Sequence, residues 1–209
     1  MGSSSENDAQ SAYASPSVRL DILWAAKDCF ARKGFESTTL ADVAKAAKVP
    51  EEELKRNYGS KRRLLLAIFD EAWAGINPRV ANIIATSPDA RSAMTSLLTT
   101  AVHVFQKDRA LARLMLLEAY RPQPGTNRVA TSRGYFVFVE MVTALAERGQ
   151  REGSFKTSFH PRVITSVIVA VVQGVLRDAL LAEEMGASNP YALPQLIAAF
   201  DAVVASLKP

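Results

Sequence analysis

From Glu51 to Lys61 the chain reads Glu-Glu-Glu-Leu-Lys-Arg-Asn-Tyr-Gly-Ser-Lys, a segment dense in hydrogen-bonding and charged groups. A lysine there can donate to guanine O6 or N7, and a glutamate can accept from cytosine N4. A carboxylate can therefore read a base edge, but it cannot usefully grip a phosphate. Glu51, Glu52 and Glu53 also have a purely local explanation, because carboxylates in the first turn of a helix interact favourably with its dipole, by about 0.3–1 kcal/mol each.

Other chemistry is poorly provided for. We find no GxSxG elbow, P-loop, GxGxxG turn or Cys/His pair at useful spacing, so catalysis is not expected. Cys29 is the single cysteine, which excludes an internal disulfide, and with only His103 and His160 beside it a structural zinc site is not credible. No metal or cofactor is expected, and a reduced, cytoplasmic protein is. The longest apolar run, Val163 to Val172, is too short to span a bilayer. Residues 1–16 are rich in Ser and Ala without a signal-peptide pattern, and read as a disordered tail. The charge is concentrated: eleven basic and seven acidic residues lie between Val18 and Arg63, a surplus equal to the whole net charge of +4. Such a surplus on a small N-terminal domain suits a polyanion.

The elements that must position these groups are helical throughout. Helical periodicity recurs along the chain and hairpin signals are missing, which predicts an all-α fold of about nine helices. A first helix from Ser17 to Lys33 presents Leu20, Leu23, Ala26 and Phe30, and Gly34 ends it in a left-handed cap. Thr39 and Asp42 form a capping-box-like start to a second helix through Ala46. A third, from Pro50 to Asn57 with Pro50 in its first turn, closes at Gly59. Ser60 caps a fourth, which Asn77-Pro78 should kink or interrupt. Further helices are predicted from Pro88 to Gln106, capped by Ser87, then from Asp108 to Tyr120, with a connection at 121–125. Others run from Asn127 to Gly149, from Pro161 to Glu184, and to the C-terminus after an Asn189 cap with Pro190 first. The domains expected are the tail, a three-helix helix-turn-helix over residues 17–63, and a larger helical domain over 64–209.

Ile22-Leu23, Ala25-Ala26, Phe30, Gly34-Phe35, Thr38-Thr39, Val43-Ala44, Ala47, Val49, Leu54, Tyr58-Gly59-Ser60-Lys61 and Leu64-Leu65 carry a combined spacing that resembles the tetracycline-repressor (TetR) family of bacterial transcription regulators. The resemblance covers about a quarter of the chain. It implies that Thr38 and Thr39 lie at the DNA, with Thr39 and Lys61 on phosphates. By the same resemblance Glu51, Glu52 and Lys55 face base edges, while Lys48, Glu53, Arg56 and Asn57 lie close by. Three positions depart from the pattern. Lys48 stands where a glycine is usual and must take a positive φ unless the turn is altered, Pro50 replaces a serine cap, and Lys55 replaces an aromatic.

In the resembling family the remaining helices enclose an effector cavity. Phe69, Trp73, His103, Phe105, Met115, Phe136, Glu140 and Gln173 are the candidate lining residues, suited to a hydrophobic or amphipathic molecule. Two apolar helices, near 161–184 and 190–207, suggest a homodimer interface, which paired DNA half-sites also require. The resemblance thus implies a ligand-responsive regulator, a repressor released from its operator by a small molecule. The alternative is a helical ligand-binding or scaffold protein of the same fold whose DNA binding is weak or lost.

Overall fold

A computed structural model describes residues 16–120, 132–186 and 192–207, and it divides the chain into two compact units, Met1–Glu71 and Ala72–Pro209. Among the described residues there are nine α-helices and no strand. The first unit holds α1 (Pro16–Lys33), α2 (Leu40–Ala47), α3 (Glu51–Tyr58) and the start of α4 (Lys61–Thr86). The division falls at Glu71/Ala72, inside α4, and not at the Arg63/Leu64 boundary drawn from the sequence. Leu64, Leu65, Ile68 and Phe69 are buried residues of the first unit, so it reaches two helical turns further than its motif.

The core of the first unit comes from α1 (Ile22, Leu23, Ala26, Phe30), α2 (Val43, Ala44), α3 (Leu54) and the start of α4. Leu20 is a correction: it is 43 % exposed, because it lies roughly a third of a turn from the face centred on Ala26 and shares the outer face with Trp24. Gly34 takes φ 81° and its N–H donates to Phe30 O at 3.1 Å, ending α1 as its left-handed geometry requires. The capping box on α2 is complete: Asp42 N–H donates to Thr39 Oγ1 at 3.1 Å, and Thr39 N–H donates to Asp42 Oδ2 at 2.9 Å. Pro50 is the N-cap of α3, with φ −61° and ψ 140°, and not a first-turn residue as expected. It has no side-chain acceptor to offer, so the first turn relies on its three glutamates for electrostatic complement.

The second unit contains the rest of α4 with α5 (Ala90–Lys107), α6 (Arg109–Tyr120), α7 (Arg133–Arg151), α8 (Pro161–Glu184) and α9 (Leu193–Ser206). α5 packs on α6, α7, α8 and α9, and its Ala93, Met94 and Leu98 meet Val142, Leu145, Ile164, Ile168, Phe200 and Val204 in one core. Pro78 does not interrupt α4. Only the bond to the carbonyl of Ala74 is lost, and Ala74 is exposed, so water can replace it. Asp89, not Ser87, caps α5, accepting from Ser92 N–H at 2.7 Å, while the Ser87 hydroxyl donates back to Ile83 O. The Ser92 N–H holds the Asp89 carboxyl below the usual range, as suits a charge at a helix N-terminus. α7 starts at Arg133 behind a Ser132 cap, later than the Asn127 start expected. The connection at 121–125, together with Asn189 and Pro190, lies outside the described residues.

Two contacts fix α4 against α7. Asn77 Nδ2 donates to Gly134 O at 3.0 Å, and Arg148 donates to Ile84 O, Ser87 O and Pro88 O at 3.0–3.2 Å, closing the C-terminal end of α4. By length and a mean hydropathy of 1.8, α8 could cross a bilayer, which the run Val163 to Val172 alone does not indicate. One side of α8 is nevertheless packed by α5, α6 and α7, as in a core helix.

Candidate functional site

The first unit builds a helix-turn-helix from α2 and α3. The turn is Lys48-Val49-Pro50: Lys48 takes φ 57° and ψ 38°, and Val49 N–H donates to Ala44 O at 3.0 Å. Lys48 is the one non-glycine with positive φ among the described residues, at the position where the family pattern has glycine. Leu54 is fully buried and anchors α3, leaving Glu52, Lys55 and Arg56 exposed and Glu51, Glu53 and Asn57 half-buried.

On that surface Lys55 is already engaged. Its Nζ lies 3.1 Å from Glu51 Oε1 and 3.2 Å from Glu52 Oε1, spacings of one helical turn. The Glu51 carboxylate, and then that of Glu52, holds the Lys55 ammonium above its ordinary range. Base reading by any of the three must break or share these pairs. Lys61 is also placed by its own unit: Nζ donates to Glu36 O at 2.9 Å and sits 4.5 Å from the Phe35 ring centre. Thr39 is exposed, but its hydroxyl serves the α2 cap.

Thr38 is a correction. It is 1 % exposed, and its hydroxyl lies 2.7 Å from Gly34 O and 3.2 Å from Cys29 O, where it closes the C-terminal end of α1. It follows a glycine turn that folds it inward, so it has no face to offer DNA. Lys48 and Arg56 are exposed and make no ion pair among the described residues, which leaves them available to phosphate.

The second unit holds a cavity of about 180 Å³. Trp73, Ile76, Arg79 and Val80 of α4 line it with α5 residues from Met94 to Phe105 and with Met115 and Leu116 of α6. Tyr135, Phe138 and Val142 of α7, Ile168 to Leu176 of α8 and Phe200 of α9 complete the wall. Trp73 makes an edge contact with Tyr135 at 5.7 Å between ring centres and lies 5.2 Å from Phe138, so one wall is aromatic.

Of the eight lining candidates, Trp73, Phe105, Met115 and Gln173 lie on this wall. The other four do not. Phe69 is buried in the first unit. His103 is exposed with Nδ1 2.9 Å from Thr99 O, on the side of α5 opposite Ala101 and Val104. Phe136 is 54 % exposed, and Glu140 is exposed and paired with Arg162 at 2.8 Å. The inward face of α7 carries Tyr135, Phe138 and Val142, so Phe136 and Glu140, offset from it, must point out. Arg79 was missed because nothing in its neighbourhood distinguishes it from a solvated helix residue. The remaining lining residues read as ordinary core, because an apolar side chain at helical spacing gives the same pattern whether it faces a partner or a void.

A helix-turn-helix unit followed by a helical unit with its own apolar cavity defines a ligand-responsive DNA-binding regulator. Residues 22–68 match the family described as "Bacterial regulatory proteins, tetR family", so this segment carries the DNA-binding domain of that family. The chain is 23% identical over 139 residues, 66% of this chain and 68% of the relative, to the HTH-type transcriptional repressor KstR2 of Rhodococcus jostii (strain RHA1). Among solved structures it resembles the fatty acid degradation regulator FadR of Bacillus halodurans, with TM-score 0.80, 18% identity and coverage of 92% of this chain and 96% of the other. It also resembles FadR of Bacillus subtilis in complex with stearoyl-CoA, with TM-score 0.76, 17% identity and coverage of 90% and 96%. At these identities the structural likeness is one of fold.

Proposed function

We propose that this regulator acts as a repressor, binding operator DNA as a homodimer through α3 and the residues around it and leaving the operator when an acyl-type effector enters the cavity. The observation that carries the reading is the cavity wall, in which long apolar and aromatic side chains dominate and Arg79, Thr100 and Gln173 are the few strongly polar members. Such a wall suits a ligand with an apolar body. The B. subtilis FadR structure holds stearoyl-CoA, which supports an acyl ligand. An effector can shift the protein only by binding the DNA-incompetent state better, so the cavity must differ between the two states.

The homodimer is supported by α8, where Val163, Val167 and Leu181 are exposed on one stripe and Gly174 between them has open space beyond its Cα. With α9 this is the surface we assign to the second copy. Thr39, Lys48, Arg56, Asn57 and Lys61 are the proposed phosphate-side contacts, and Glu51, Glu52 and Lys55 the base-side ones.

The test is fluorescence anisotropy of the full chain on DNA from upstream of its own gene and on scrambled DNA, across a salt series. A regulator shows site preference and a log–log salt slope of about −0.9 for each phosphate neutralised. The second reading, a ligand-binding protein that has lost its operator, is favoured by the engagement of Lys55 with two carboxylates. Equal, negligible affinity for both DNAs would select it.

A further inference from the structure

The size of the cavity and its single charged residue narrow the effector beyond "acyl-type", on which reading this step rests. An engineered protein cavity of about 150 Å³ holds one benzene molecule. The 180 Å³ here therefore admits one ring or a chain of roughly six to eight carbons. A stearoyl chain is roughly two to three times too long unless the wall moves.

Arg79 supplies the second constraint. It lines the cavity and is also exposed, so its stem belongs to the wall and its guanidinium to the mouth. Its side chain makes no ion pair or hydrogen bond with another described residue. The other lining residues are uncharged. A guanidinium keeps its charge at any physiological pH and presents forked donors that match a carboxylate or phosphate.

We propose that the cavity takes a short anionic amphiphile, with a carboxylate or phosphate head paired to Arg79 at the mouth and an apolar body of roughly eight carbons or one substituted ring inside. Calorimetric titration of the full chain with straight-chain carboxylates from butanoate to octadecanoate, each below its micelle concentration, tests the length. Affinity should rise about fourfold per methylene, the equivalent of about 0.8 kcal/mol, to about eight carbons and then level off or fall. Ala101→Leu adds about three carbons to the wall and should move the optimum to acids shorter by two or three methylenes.

Arg79→Gln should weaken octanoate by about tenfold or more, leave 1-octanol unchanged, and be partly rescued by Arg79→Lys. Octanoyl-CoA in parallel separates the head groups. If it binds more tightly than octanoate and loses that advantage in Arg79→Gln, the head is a phosphate; if octanoate binds as tightly or better, the head is the carboxylate. An optimum at octadecanoate, octanol binding as tightly as octanoate, or no loss in Arg79→Gln overturns this inference while the acyl-effector reading stands. No binding by any acid or thioester overturns that reading itself.

Discussion

Lys55 Nζ stands 3.1 Å from a carboxylate oxygen of Glu51, one turn earlier on the same helix, and this pair sets the electrostatics of the surface proposed to meet DNA. Glu52, with its side chain 83 % exposed, completes a small cluster in which two acids hold one base. The cluster stabilises α3 by itself and opposes a generic anion. Replacing Glu51 and Glu52 together by glutamine should raise affinity for non-specific DNA by roughly tenfold at low salt, with a smaller gain at high salt as screening removes the repulsion. Anisotropy titrations at two salt concentrations check this, and unchanged affinity at both would remove α3 from the interface.

Lys48 carries a backbone cost that a glycine would not. A left-handed conformation costs an ordinary residue roughly 1–2 kcal/mol, of which the greater unfolded-state freedom of glycine returns part. Lys48→Gly should therefore raise stability by up to about 1 kcal/mol in urea unfolding. It should also lower the magnitude of the DNA salt slope by about one if the ammonium meets a phosphate.

Asp42 makes the acid response of the DNA-binding unit predictable. A hydrogen bond from Lys33, followed by those from the Thr39 backbone and hydroxyl, holds its carboxyl well below the usual range. A depressed folded pKa contributes stability that is complete above the unfolded carboxylate range, near pH 4, and is lost as the pH falls through the folded value. Asp42→Asn should thus melt lower than the native chain at pH 7, and the two curves should converge toward pH 2. Circular-dichroism melts across that range read the convergence directly. Thr39→Ala, which removes the cap, should cost about 1 kcal/mol at pH 7.

Gly134 lets α4 and α7 approach. A Cβ placed there would lie 2.2 Å from the Cβ of Trp73, a backbone-proximal atom that cannot swing aside. Gly134→Ala should cost about 1–3 kcal/mol through overpacking, against a helix-propensity gain of about 1 kcal/mol. Because Trp73, Tyr135 and Phe138 form one wall of the cavity, the same change should weaken effector binding. Tighter effector binding in this variant would contradict the wall's assignment.

The helix-turn-helix was legible because its signals are local: the Gly34 cap, the Thr39/Asp42 box, the Gly59 end and the Lys48 anomaly all follow from one or two residues and their neighbours. Pro78 misled because a missing N–H costs little where water reaches the orphaned carbonyl. Ser87 and Asp89 are both plausible caps, and the chain's path selects between them. The cavity was legible only in part. Trp73 and Phe105 stand on faces the sequence marks as buried, while His103 and Glu140 attracted notice by chemistry alone and point outward. Periodicity fixes a face to within a third of a turn, and that is too coarse to separate Phe136 from Phe138 or to lift Arg79 out of a solvated row.

The central claim is coupling between the cavity and the DNA-binding surface, and titration of own-promoter DNA with and without saturating effector tests it most directly. The probe is the carboxylate that binds most tightly in calorimetry. The effector should weaken DNA binding by roughly 5- to 150-fold, and DNA should weaken effector binding by the same factor, as linkage requires. Effector bound in the cavity with DNA affinity unchanged would contradict it.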